Sequence, residues 1–180
     1  MSGPRVVGLA RSGRHGFSKQ PCERVVLVAG LGVAGDAHAG ETVQHLSRAR
    51  SDPGQPNLRQ VHLIHAELLD DLADKGFAIA SGDLSENILT RGIDLLGLPA
   101  GATLHIGESV VRVTGLRNPC AQIEAFQPGL LAHMVEQRAD GSLARKCGVM
   151  GAVERGGEIT VGAAIGVALP GAPRCPLEPV

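Results

Sequence analysis

Cys120 carries the clearest chemistry in this sequence. It closes Arg117-Asn118-Pro119-Cys120 after a Val-rich segment, with Arg117 three positions upstream. The thiolate is the nucleophile and metal ligand, and a nearby cation favours it. A loop at a strand end presents such a side chain to the solvent or to a ligand. An inert, small apolar cysteine fits the same residue types, so the residues alone leave both readings open. Asp36 and His38 stand two apart in a Gly-rich loop, a carboxyl beside an imidazole, two groups able to donate and accept protons. The alternative there is a turn Asp bonding its own backbone and a solvated His. Cys22, Cys147 and Cys175 are scattered, with no C-x-x-C, which argues against a zinc ribbon or a locally spaced iron–sulfur site. Cys22 and Cys147 read as core residues and Cys175 as an incidental exposed thiol.

One motif is misleading. Gly30-Leu31-Gly32-Val33-Ala34-Gly35 matches G-x-G-x-x-G after a Val-rich strand. A dinucleotide site needs a helix to follow, with an acid about twenty residues on. Asp36-Ala37-His38-Ala39-Gly40 has no helical period, and Asp52 sits in a turn-rich segment, so the dinucleotide reading is rejected.

The elements that must position these residues are short. Val6–Ala10, Arg24–Ala29, Val61–Ile64 and Asn87–Thr90 read as strands. Ala66–Lys75 reads as a helix, with Leu68, Leu69 and Leu72 on one face and Gly76 as its stop. Thr103–Ile106 and Ser109–Thr114 form a hairpin across Gly107-Glu108. Ala121–Phe126 and Leu130–Gln137 read as short helices. Val149–Val153 and Glu158–Val161 read as a second hairpin at Gly156-Gly157, and Ile165–Leu169 as the closing strand. A single domain is expected over 1–169, with 170–180 a loose Pro-rich tail.

Composition agrees and excludes several functions. The 180 residues, 43% hydrophobic and 19% charged, suit one globular domain with its own core. Twenty-five Gly and eleven Pro imply many turns and favour a β-rich fold over a bundle. Three Phe, with no Trp or Tyr, cannot build a base-stacking platform. A net charge of -1 without a basic block gives no footprint for a phosphate backbone, so no nucleic-acid partner is expected. The apolar stretch from Val25 to Gly35 is too short for a bilayer span. Met1 to Gly16 has no leader pattern, so a cytoplasmic location with reduced thiols is expected.

Five blocks, in order, are similar to those of the molybdenum-cofactor-sulfurase C-terminal (MOSC) domain family. They are Gly35 to Gly40 (GDAHAG), Arg59 to Ile64 (RQVHLI), Gly82 to Leu95, Val113 to Cys120 (VTGLRNPC), and Gly156 to Ile159 followed by Gly162. The resemblance runs from about Arg24 to Val167. It implies a mainly β, barrel-like domain with a few short helices, in stand-alone form. It also implies binding of the molybdenum pyranopterin cofactor, with Cys120 as metal ligand or, in a sulfurase setting, as a sulfur-handling thiol.

The other candidates take their roles from that implication. Asp36, His38 and Glu86 become proton donors or relays beside the metal. Asn87 offers the paired donors and acceptor that suit a pterin edge. Arg59, Arg91, Arg117 and Arg145 are candidates for the cofactor's phosphate, which guanidinium groups bind bidentately. Arg117 leads because it shares a loop with Cys120, and Arg59 follows. Plain structural roles compete for Glu86 and Asn87, and are assigned to His45, His62, His65, His105 and His133. The expected activity is an oxidoreductase reducing N-hydroxylated or similarly oxidised small molecules. No flavin, haem or iron–sulfur motif is visible in the sequence, so electrons are expected from a donor protein. The rival expectation is a carrier that accepts sulfur from a donor as a Cys120 persulfide and turns over nothing itself.

Overall fold

The computed structural model describes residues 3–180; the first two residues of the expected domain lie outside them. In chain order the strands and helices are β1 (Arg5–Arg11), β2 (Gln20–Cys22), β3 (Arg24–Val28), β4 (Gly32–Val33), α1 (Leu46–Ser51), β5 (Val61–His65), α2 (Ala66–Asp74), β6 (Ile88–Arg91), β7 (Thr103–Ile106), β8 (Ser109–Leu116), α3 (Ala121–Phe126), β9 (Val135–Gln137), β10 (Leu143–Arg145), β11 (Val149–Arg155), β12 (Gly157–Thr160) and β13 (Ile165–Ala168).

Eight strands form one sheet in the order β13-β7-β8-β11-β5-β6-β1-β2. All its pairs are antiparallel except β5 and β6, which run parallel and are joined through α2. A parallel pair needs a crossover, and the Leu-rich face of α2 makes that crossover bury itself. Lys75 ends the helix and Gly76, at φ +89°, turns the chain away, as its position predicts.

The sheet curls until Arg5 bridges Ala164, with Val6 N–H donating to the Ala163 carbonyl and Gly162 N–H donating to the Val6 carbonyl, both at 2.9 Å. It does not close: no ladder joins β13 to β2. The expected barrel is therefore an open, curled sheet. A small sheet, β12-β3-β4, packs on it and contributes Val25, Leu27, Val33 and Ile159 to the larger core. Leu63 and Ile88 face that core, whereas their neighbours Ile64 and Leu89 face a second cluster built with α2, α3 and Leu130. Strand alternation produces both cores from the same strands.

Three other expectations are corrected. Leu130–Gln137 is not a helix. A single 3-10 turn at Leu131–His133 seats Leu130 and Met134, and Val135–Gln137 then pairs with Leu143–Arg145. The Gly156-Gly157 step does not close a hairpin, because β12 pairs with β3 and β11 with β5 and β8. A Cβ on Gly156 would stand 2.6 Å from the Leu27 carbonyl, so that glycine permits a close chain crossing. The tail is not loose. Leu177 is buried, Leu116 N–H donates to Glu178 (2.8 Å), and Val180 N–H donates back to Leu116 (3.2 Å). No helix among the described residues is long and apolar enough to cross a membrane.

Candidate functional site

The thiol is positioned by the end of β8 and the start of α3. Arg117 N–H still reaches the Gly148 carbonyl at 3.1 Å, and Pro119 then removes a donor and ends the pairing. Cys120 is the extended residue before α3 (φ −135°, ψ 164°). The helix is anchored by the fully buried Ile123 and by Glu124, whose carboxylate accepts from the Gly129 (2.8 Å) and Leu131 (3.3 Å) backbone. Cys120 is left half-buried, its Sγ 3.8 Å from Gln122 Oε1, in the wall of a cavity of about 220 Å³.

Three arginines line the same cavity: Arg48, Arg59 and Arg117. Arg117 is buried, donates to the Leu84 carbonyl (3.0 Å), and lies 5.9 Å over the Phe17 ring. Arg59 donates to the Val180 main-chain oxygen. Burial, reinforced by Arg48 and Arg117, lowers the Arg59 guanidinium to about 10. Burial together with Arg59, His38, Arg48 and Arg117 also lowers His45, which lines the cavity too. The chamber is therefore electropositive, although the whole chain is near neutral.

Asp36 does not line the cavity; it ties together three side chains that do. Its Oδ2 accepts from Lys19 Nζ (2.7 Å), Asn87 Nδ2 (3.0 Å) and the Ser12 backbone (3.2 Å). Its Oδ1 meets the His38 backbone N–H (3.0 Å) and ring Nδ1 (3.2 Å). Burial pushes this carboxyl up, but the His38 hydrogen bonds and the Lys19 charge outweigh it and hold Asp36 well below the usual carboxylate range. Lys19 moves down, because burial costs it more than its Asp36 partner returns. The asymmetry has a simple cause: Asp36 collects five contacts, whereas Lys19 has one side-chain acceptor.

The other sequence candidates fall in different places. Asn87 lines the cavity, but both its N–H groups are engaged, by Asp36 and the Ala10 carbonyl (3.2 Å), and its Oδ1 accepts from His62 N–H (3.1 Å). Glu86 is buried outside the lining, its Oε1 capping Gly82 N–H and its Oε2 unpartnered; burial raises its pKa. Arg145 donates to Asn118 Oδ1 (2.8 Å) from outside the lining. Arg91 is held by a two-point bond to Asp70 on the surface (2.6 and 3.1 Å). The rejected glycine motif carries no helix: Gly32 runs under Gln60, where a Cβ would meet its carbonyl at 2.7 Å.

His62, read as structural, is part of the cavity floor. Its Nε2 lies 2.7 Å from the Cys147 carbonyl, which only accepts, so that nitrogen carries the proton. Burial, and then Arg117, push it far below its ordinary value, so it is neutral. Its place in Val61-His62-Leu63-Ile64, an apolar strand, was the available signal. Lys19 and Arg48 gave no such signal, since exposed cations are the rule. Ser85 also lines the cavity, at φ +72°, alone among the described non-Gly residues in the left-handed region.

The chain is a curled β scaffold that holds a reachable thiol and three arginines around one cationic chamber. The MOSC domain model matches residues 35–166, and the chain belongs to the MOSC domain family. Members of that family are commonly linked to the molybdenum cofactor. The fold resembles that of YuaD from Bacillus subtilis (TM-score 0.72, 24% identity, 91% of this chain and 94% of that one). It also resembles YiiM from Geobacillus stearothermophilus (0.67, 16%, 96% and 79%) and from Escherichia coli (0.61, 16%, 95% and 73%). No curated protein matches the chain.

Proposed function

We propose that this MOSC domain binds the molybdenum pyranopterin cofactor and reduces N-hydroxylated or similarly oxidised small molecules. The observation that carries the reading is that Cys120 and three arginines share one chamber in a chain of this family. The residues fit such a group. A soft thiolate suits a metal already held by dithiolene sulfur, and guanidinium groups suit its phosphate. Among the described residues no group of three or more His, Cys, Asp and Glu is arranged around a bare metal ion. Cys120 therefore enters the proposal as a single protein ligand.

When bound, the cofactor supplies two-electron chemistry. Removing oxygen from an N-hydroxy group takes two electrons and two protons and releases water. The electrons come from a donor protein, and the protein's own part is binding and proton supply. Arg117 and Arg59 hold the phosphate. His38, fixed through Nδ1 by Asp36, keeps Nε2 available for proton exchange at the chamber wall. Asn87 acts here as a positioning residue for Asp36, since its donors are engaged.

Molybdenum content tests the proposal. After expression in a cofactor-competent host, the wild-type protein carries molybdenum and Cys120→Ser carries about tenfold less or none. Equal metal in both, or none in either, counts against it. The half-exposed Sγ also supports a second reading, a persulfide carrier. That reading expects Cys120 to gain the mass of one sulfur atom after incubation with a cysteine desulfurase, without reductase turnover.

A further inference from the structure

Ser85 stands apart from the groups already assigned at the thiol chamber. It lines the chamber, half-buried, at φ +72°. Side chains other than Asn and Asp rarely adopt that backbone region, and a glycine would take it without a clash. The neighbours on both sides hold Ser85 there. The Leu84 carbonyl accepts from Arg117 Nη1 (3.0 Å), and Ser85 N–H donates to the Gly82 carbonyl (3.1 Å). Just beyond it, Asn87 N–H donates to the His62 carbonyl (2.8 Å). Backbone bonds therefore fix the residue, and its side chain takes no part in them. Among the described residues nothing pairs with the Ser85 hydroxyl. A strained residue whose side chain does nothing for the fold, in the wall of a chamber, points to a ligand.

Ser85 is also the one hydroxyl in the lining. Lys19 and the three arginines only donate. Asn57 and Asn87 have their amide groups engaged by the protein: Asn57 by the His38 and Gly40 carbonyls and Arg59 N–H, Asn87 by Asp36, Ala10 and His62. A free hydroxyl rotates to donate or to accept. An N–OH group carries the matching acceptor and donor on a single oxygen. We propose that Ser85 is a specificity-determining residue, whose hydroxyl binds the nitrogen-bound oxygen of the oxidised substrate. The identity of that substrate rests on the reductase reading; the unengaged hydroxyl in the chamber wall does not.

Acetamidoxime and acetamide serve as probes. Both are uncharged in mildly alkaline buffer, and only the first has a nitrogen-bound oxygen. Each is titrated by ligand-observed NMR into oxidised protein from a cofactor-competent host. No electron donor is present, so binding is read without turnover, and molybdenum is measured on the same samples. Ser85→Ala and Ser85→Gly each weaken acetamidoxime about fivefold and leave acetamide unchanged. Ser85→Gly melts at or above the wild-type temperature, because it relieves the backbone. No binding of acetamidoxime, or equal affinity in all three proteins, overturns the proposal. So does an equal loss for acetamide, which would mean that Ser85 only shapes the chamber. A lower melting temperature in Ser85→Gly alongside the lost affinity also overturns it, since the effect would then run through the fold. Ser85-independent binding in molybdenum-containing protein sinks this inference and leaves the cofactor reading intact. Ser85-dependent binding in protein without molybdenum supports the hydroxyl contact and counts against the cofactor reading.

Discussion

Asp36 is the residue whose loss the site should feel most, although it touches no ligand. It holds Lys19, His38 and Asn87 in place from behind. Asp36→Asn keeps the shape but leaves Lys19 buried beside a neutral amide, a cost of about 3 kcal/mol. Adding Lys19→Met removes the stranded charge, so the double variant should lose less than the sum of the singles. The sign of the pH dependence follows from the depressed Asp36 value. A carboxyl whose folded pKa lies below its unfolded value stabilises the fold in full above about pH 4, and that contribution drains as pH falls further. Thermal melts between about pH 5 and pH 3 should show a steep loss in wild type that Asp36→Asn largely lacks. Parallel slopes would mean that other carboxylates set the acid limit. The sequence made Asp36 and His38 visible because they sit in one loop. It hid Lys19, which arrives from seventeen residues upstream and looks there like a solvated lysine.

The elements were legible where their signals are local. Leu68 and Leu72 at helical spacing marked α2, and Gly107 marked the β7–β8 turn, because neighbours in sequence decide both. Partnership between distant strands was not legible. Gly156-Gly157 resembles a hairpin turn, yet it admits β3 from far upstream. The C-terminal segment is a similar case, since proline content says nothing about the seat prepared for it at Gly115. A Cβ there would stand 2.5 Å from Val180 Cγ1 and would also strike the Glu178 carbonyl. Gly115→Ala should therefore lift the segment from β8. Hydrogen exchange at the Leu116 and Val180 amides, both now bonded across this contact, should speed up by at least about tenfold, with the rest of β8 unchanged. Unchanged exchange at both amides would show that the segment accommodates the methyl group by sliding.

At the scale of the whole molecule, the sheet divides two cores that serve different ends. The larger lies inside the curl and holds the scaffold; the smaller lies outside, under α2 and α3, with Phe17 packed at its margin below Arg117. Cys120 is fastened to the smaller one through Ile123, three residues on. The two cores can therefore be tested against each other. Ile123→Ala and Leu104→Ala each remove a fully buried aliphatic side chain, and each should cost about 2–5 kcal/mol. If Cys120 reacts only through global unfolding, equal destabilisation must accelerate its alkylation equally. If it reacts through local opening of α3, the two variants part company. Ile123→Ala loosens the helix that holds the thiol, whereas Leu104→Ala weakens a strand in the other core. Alkylation of Cys120 under native conditions, followed peptide by peptide so that exposed Cys175 is scored apart, should be faster in Ile123→Ala and near wild type in Leu104→Ala. Equal acceleration at matched stability would mean that the thiol is held by the fold as one cooperative unit, and that the outer core has no separate part in presenting it.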